Sequence, residues 1–262
     1  MAVIDGSTSK SQHQLSRQRP LRALIDGAWG CSNGRYAMQL AAHYIRRMDK
    51  KTTCEAFLRG VTAFFRQRYK ESMLPRLAAH PEDRITCSAI IFSRLCREIW
   101  MIGDCQGLLI PHSSSDSPHA THLDNPKPAE AELAAMRAAE VKRLLANGMT
   151  QDELLRNDKA RPVIIPRMLE TMRQQNVSYS VIDGFPIPRQ HVRTIPLDFR
   201  PWDVVLASDG YPFLRSTLAE SEAALQQQRA TDPLNIGDFQ ATKAFHPDFN
   251  SFDDRAYIRF RV

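Results

Sequence analysis

Acidic residues stand at the ends of apolar runs in four separated parts of the chain: Asp5 in VIDGSTS, Asp104 in MIGDCQG, Asp209 in VVLASDGYPFL and Asp253 in FDDRAYIRF. An Asp-Gly step after an apolar run is an ordinary way to leave a strand, because both residues accept turn geometry that others resist. A strand end also fixes a carboxylate against a core, as a binding site requires of its ligands. Carboxylates gathered from several strands, with water completing the shell, suit hard divalent cations such as Mg²⁺ and Mn²⁺. The other metal candidates are weaker. His112, His119 and His122 fall in a Pro, Ser and Asp-rich loop that gives them no fixed geometry, and the five cysteines contain no C-x-x-C pair.

The elements that must position the acids can be read from pattern. Tyr36, Leu40, Tyr44 and Met48 recur every four residues, and Phe57, Val61, Phe64 and Phe65 repeat the pattern, which predicts helices over 34–49 and 54–69. Capping boxes at Thr52 with Glu55, Thr150 with Glu153 and Thr217 with Glu220 mark helix starts. Between Cys87 and Ile110 three apolar runs, separated by polar turns, predict a meander of antiparallel strands. Residues 111–128 read as an exposed loop, and an Ala, Glu and Arg-rich helix follows from about 129 to 146. At the end of the chain Ala256, Ile258, Phe260 and Val262 alternate with Tyr257, Arg259 and Arg261, as a half-buried strand requires. Ile-Asp-Gly occurs three times, ending at Gly6, Gly27 and Gly184, with irregular spacing that fits a recurring strand exit and no solenoid repeat.

A chain of 262 residues, 43% hydrophobic, can bury one large core. No apolar run spans a bilayer and no basic-then-apolar leader is present, so a soluble, cytoplasmic protein with reduced thiols is expected. The net charge of +6 is concentrated between Arg35 and Lys70. There the bases fall on the helix faces opposite the apolar stripes, and no recognition motif accompanies them, so a solvated surface is expected and a nucleic-acid partner is not.

VIDGSTS, SAIIFSRLCREIWMIGDCQGLLI, WDVVLASDGYPFL and FDDRAYIRFRV resemble, in sequence and in order, the motifs of the PPM or PP2C family of metal-dependent protein phosphatases. LASDG is the most specific of these pieces. The resemblance covers nearly the whole chain and implies an α+β fold, a four-layer α/β/β/α sandwich of two antiparallel sheets flanked by helices. It further implies a single domain over 1–262 with a variable helical and loop insertion at about 111–180. The activity implied is hydrolysis of phosphoserine or phosphothreonine in a protein or peptide substrate by metal-activated water, with no side-chain nucleophile. By resemblance Asp5 bridges two Mn²⁺ or Mg²⁺ ions, the Gly6 carbonyl faces one of them, Asp209 and Asp253 complete the first site, and Asp104 matches the acid near an additional, weaker metal position.

The chain departs from the family at its start. The family carries an acidic pair on a strand ahead of the first Asp-Gly, and an arginine for the substrate phosphate. This chain begins four residues before Asp5, so the family's first strand is expected to be missing from it, either because an upstream segment has been lost or because the second metal site is weakened, and the second metal is expected to bind weakly. Ser7, Thr8 and Ser9 stand where the family commonly has His-Gly-Gly, which removes a candidate general acid. Asp26 and Gly27 offer an alternative first motif, although Asp5 directly follows an apolar start and is preferred. Asp183 is read as structural. A catalytically weak or inactive module of the same fold, binding a protein or phosphorylated ligand, is the competing expectation.

Overall fold

The computed structural model describes residues 1–7, 32–112 and 120–262. Asp26, Gly27, Thr8, Ser9, Cys31 and His119 lie outside the described residues. Eight strands form two antiparallel sheets. The first has the order β1 (Ala2–Gly6), β2 (Cys87–Ser93), β3 (Glu98–Ile102) and β6 (Arg193–Pro196). The second has the order β5 (Thr121–Leu123), β4 (Gln106–Pro111), β7 (Trp202–Ala207) and β8 (Tyr257–Arg261). The helices are α1 (Asn33–Arg47), α2 (Cys54–Arg66), α3 (Leu74–Ala79), α4 (Glu130–Ala146), α5 (Gln151–Arg156), α6 (Arg161–Met172) and α7 (Leu218–Thr231).

The continuous apolar runs arise because each central strand is covered on both faces, and the two-residue period of a strand divides its side chains between them. In the first sheet Ile90, Phe92, Ile99 and Met101 point inward and meet Leu109, Val204, Leu206, Ile258 and Phe260 of the second sheet. The alternate residues Ala89, Ile91, Trp100 and Ile102 point outward against Tyr36 and Leu40 of α1 and Phe57, Val61 and Phe65 of α2. On the outer face of the second sheet Leu108, Ile110, Val205 and Ala207 pack with Tyr211 and Leu214. Glu222 of α7 accepts the Tyr211 hydroxyl at 2.7 Å, fixing that helix to the same side. This is the sandwich of two antiparallel sheets with flanking helices that the motifs imply.

Three local expectations are corrected. The Cys87–Ile110 segment is no single meander: β2 and β3 pair, but β4 leaves to pair with β5 and β7 in the other sheet. Apolar runs encode strands without encoding their partners, and the crossing occurs at Gly103, whose φ of +85° favours glycine. The loop expected at 111–128 contains β5, which pairs with β4 and holds His122 exposed at its surface. Helix α2 is capped by Thr53, not Thr52, through a 3.3 Å hydrogen bond from the Ala56 amide, so Glu55 closes no box. The burial of Cys54, Phe57, Leu58 and Val61 sets this phase. Reciprocal boxes do form at Thr150 with Glu153 and at Thr217 with Glu220. Arg35, Arg46, Arg47, Lys50, Lys51, Arg59, Arg66 and Lys70 are exposed, as a solvated face requires.

Asp183 has a structural environment. Its carboxylate is fully buried and accepts from Arg84 Nη1 at 2.9 Å, Asn176 Nδ2 at 2.9 Å and the Phe185 amide at 2.8 Å. Burial pushes it up to about 6, with Arg84 opposing. Removing one partner of such a pair strands the other charge, so Asp183→Ala is expected to cost about 3–5 kcal/mol of stability in urea unfolding; a loss below about 1 kcal/mol would contradict a structural role. Asp203 gives a pH signature. Hydrogen bonds from Arg261 and Arg259 hold it at about 2, against an unfolded value of about 3.9. Its stabilisation is therefore complete above about pH 4 and lost as pH falls through about 2. Asp203→Asn should flatten the acid limb of stability in that window, and an unchanged limb in pH-dependent unfolding would refute this.

Candidate metal centre

The four acids lie at or near strand ends that meet at one cavity. Asp5 closes β1, where it lies opposite Ser88 of β2. Asp104 sits in the crossover between β3 and β4, and its Oδ1 accepts from Ser88 Oγ at 2.5 Å. The bend before it is tightly determined: a Cβ at Gly103 would lie 2.1 Å from Ser88 Oγ, while the Gly103 amide donates to Ser180 Oγ at 3.1 Å and its carbonyl accepts from Asn125 at 2.9 Å. Asp209 follows β7. Ser208 exchanges hydrogen bonds with Ala256, and a Cβ at Gly210 would lie 2.3 Å from the Asp254 carbonyl oxygen, so the segment carrying Asp209 is held against the one carrying Asp253. Gly6 makes a comparable approach to the start of α1. A Cβ there would lie 2.4 Å from the Gly34 carbonyl oxygen, and one at Gly34 would lie 2.1 Å from that of Ser7.

Asp5, Gly6, Asp104, Asp209 and Asp253 all line one cavity of about 530 Å³, whose remaining wall comes largely from the start of α4 and from α6. Within it carboxylate oxygens of Asp104, Asp209 and Glu130 lie within 4.8 Å of one another. Asp5 and Asp253 are not members of that triad. Asp5 is within hydrogen-bonding reach of Asp209, and Asp253 accepts from the Lys243 ammonium and, at 2.9 Å, from the Asp254 amide. Glu130, Lys127 and Lys243 are absent from the sequence reading. Lys127 and Glu130 fall in NPKPAEAEL, which reads only as a loop leading into a helix, and nothing local marks either as facing the strand ends.

The electrostatics follow from this crowding. Burial, and then the charge of Asp104 and Asp253, pushes Asp5 up to about 6 despite its hydrogen bond with Asp209. Burial together with Asp104 and Asp5 raises Asp209 well above the usual carboxylate range. Asp104 goes the other way: burial opposes ionisation, but the adjacent Lys127 ammonium and the Ser88 hydroxyl hold it low. Among the described residues, Asp209 Oδ1 is buried without a hydrogen-bond partner. An unpartnered buried carboxylate oxygen beside two more carboxylates is a costly arrangement for a bare protein and a suitable one for an oxygen-preferring dication. The donor set fits Mg²⁺ or Mn²⁺.

No protein-family model matches the sequence, and no curated protein matches it. Among solved structures, the serine/threonine phosphatase PstP/Ppp of Mycobacterium tuberculosis is similar at 14% identity over 86% of this chain and 74% of that one, with a TM-score of 0.35. The PstP catalytic domain in complex with two manganese ions is 16% identical over 76% and 70%, with a TM-score of 0.32. Stp1 from Staphylococcus aureus is 13% identical over 75% and 70%, at 0.33. Likenesses this distant carry no argument about activity, and the site is interpreted from its own geometry.

Since burial, and then the charges of Asp104 and Asp5, oppose ionisation of Asp209, a neutral isostere should remove that cost. Asp209→Asn is expected to raise the thermal midpoint of the metal-free protein by about 2–4 °C, equivalent to roughly 1 kcal/mol in a domain of this size. A lower midpoint in chelator-treated protein would mean that the carboxylate is held by contacts other than those described.

Proposed function

We propose that the protein is a metal-dependent phosphatase acting on phosphoserine or phosphothreonine in proteins or peptides. The observation that carries the reading is the convergence of strand-end acids from four separate chain segments on one cavity, with Asp209 Oδ1 buried and unpartnered among them. In this reading Asp5, Asp209, Asp253 and the Gly6 carbonyl are the metal-facing groups, and Asp104 with Glu130 serves an additional position. Bound Mn²⁺ or Mg²⁺ would supply a water of lowered pKa and offset charge on the phosphoryl oxygens. The protein's own part is orientation and charge. The sheet core holds the acids in register, and Arg161 and Lys243 bring positive charge to the cavity wall, where a phosphoryl group needs it. Arg161 is itself oriented by a 2.7 Å hydrogen bond to the Thr242 carbonyl.

The competing reading, a module that binds a protein or phosphorylated ligand with little or no turnover, is favoured by one observation: Lys127 and Lys243 already pair with Asp104 and Asp253. The readings separate in a single assay. With Mn²⁺ the purified protein should release phosphate from an aryl phosphate or a phosphopeptide, and Asp209→Asn should lower the rate by about 10²-fold or more, the scale on which loss of an electrostatic contact to the transition state is felt. Turnover without metal and indifferent to the substitution would overturn the phosphatase reading, and phosphopeptide capture without release would favour the binding module.

A further inference from the structure

We infer that the Lys127 ammonium is the resident cation of the Asp104, Glu130 and Asp209 cluster, occupying the position a divalent ion would take there, so that such an ion enters by displacing it. The inference rests on the metal-centre reading above for the identity of the displacing ion. The ammonium forms its ion pair with Asp104 Oδ2, while Asp104 Oδ1 is occupied by Ser88. Lys127 lines the same cavity as Asp104, Glu130 and Asp209. The oxygens of those three carboxylates lie within 4.8 Å of one another, so the ammonium on Asp104 stands at the cluster. An ammonium and a dication cannot both sit among oxygens that close, since each needs the same lone pairs and they repel.

The backbone around the lysine is built for exchange at the side chain. Lys127 lies in the connection between β5 and α4, between Pro126 and Pro128. The two rings fix φ at their own positions, and Pro128 keeps Lys127 itself extended, while Asn125 ties the connection to the Gly103 carbonyl. The main chain is thus pinned beside the cluster and the four-carbon stem is the part left to move. The Lys127 side chain is 29% accessible whereas that of Asp104 is 5% accessible, so the ammonium has a route outward that the carboxylate lacks. One positive charge faces three carboxylates, and Asp209 Oδ1 keeps no partner even with the lysine in place. A dication supplies what the single charge leaves unmet, and its apparent affinity is reduced by the work of expelling the lysine.

Two measurements test this. Equilibrium Mn²⁺ binding, followed by the electron paramagnetic resonance of the free ion, compares the wild type with Lys127→Gln. At one site the variant should bind at least about tenfold more tightly, the effect of removing a competing state populated nine times in ten. The second uses the unaltered protein, so it does not depend on the variant folding. Reductive methylation read by mass spectrometry should find Lys127 protected in chelator and reactive in saturating Mg²⁺. Equal Mn²⁺ affinity in a folded variant, or a Lys127 reactivity indifferent to Mg²⁺, overturns the inference. Tighter binding in the variant without phosphate release from either protein would leave the lysine's role standing and sink the phosphatase reading; metal-dependent hydrolysis with equal binding would do the reverse.

Discussion

Repulsion among buried carboxylates is the constraint around which this molecule is organised. Asp5, Asp104 and Asp209 are each disfavoured as anions by burial, and they act on one another. Left to themselves, flexible acids would turn toward water. They do not because each is attached to a strand whose side chains are committed to core on both faces, and a one-residue slip would exchange those faces. The hydrophobic sandwich therefore does electrostatic work, holding like charges at a separation they would not choose. Proteins commonly store such strain where they act.

The cationic side of the site answers that constraint from outside the sheets. Lys127 arrives from the connection before α4, and Lys243 from the segment after α7. Arg137 ties these two regions together. Its side chain is fully buried, with Nε on Asp158 at 2.7 Å and Nη1 on the carbonyls of Leu234 and Ala241 at 2.8 and 3.1 Å. The helical region and the late loop consequently move as neighbours, and the charge balance at the strand ends depends on their docking.

What the sequence discloses and what it hides divide along the range of the interactions. Asp209 is legible because four apolar residues, a serine and Asp-Gly specify a strand and its exit locally. Asp104 is legible because Gly103 announces a bend. The alternation from Tyr257 to Val262 gives both the strand and its faces: Ile258 and Phe260 enter the core, while Arg259 and Arg261 grip Asp203. Glu130 and Lys127 are hidden because their significance lies in what they face, and that is decided by how α4 packs. The change of sheet after β3 is hidden for the same reason, since hydrogen-bonding partners are chosen by global topology. The choice between Thr52 and Thr53 as cap turns on which phase of α2 buries Cys54 and Phe57, an energy that sums over the whole helix and cannot be read from two adjacent hydroxyl residues.

The mutual approach of Gly6 and Gly34 has a consequence for how the chain can vary. The backbone at Gly6 and Ser7 meets the start of α1 at Gly34, so the strand that carries Asp5 is clasped to a helix of the outer layer. A single methyl group at either glycine meets a carbonyl oxygen, at 2.4 Å from Gly6 and 2.1 Å from Gly34. These two positions are therefore closed to any larger residue unless the backbone gives way, and a shift there would carry the strand end and Asp5 with it.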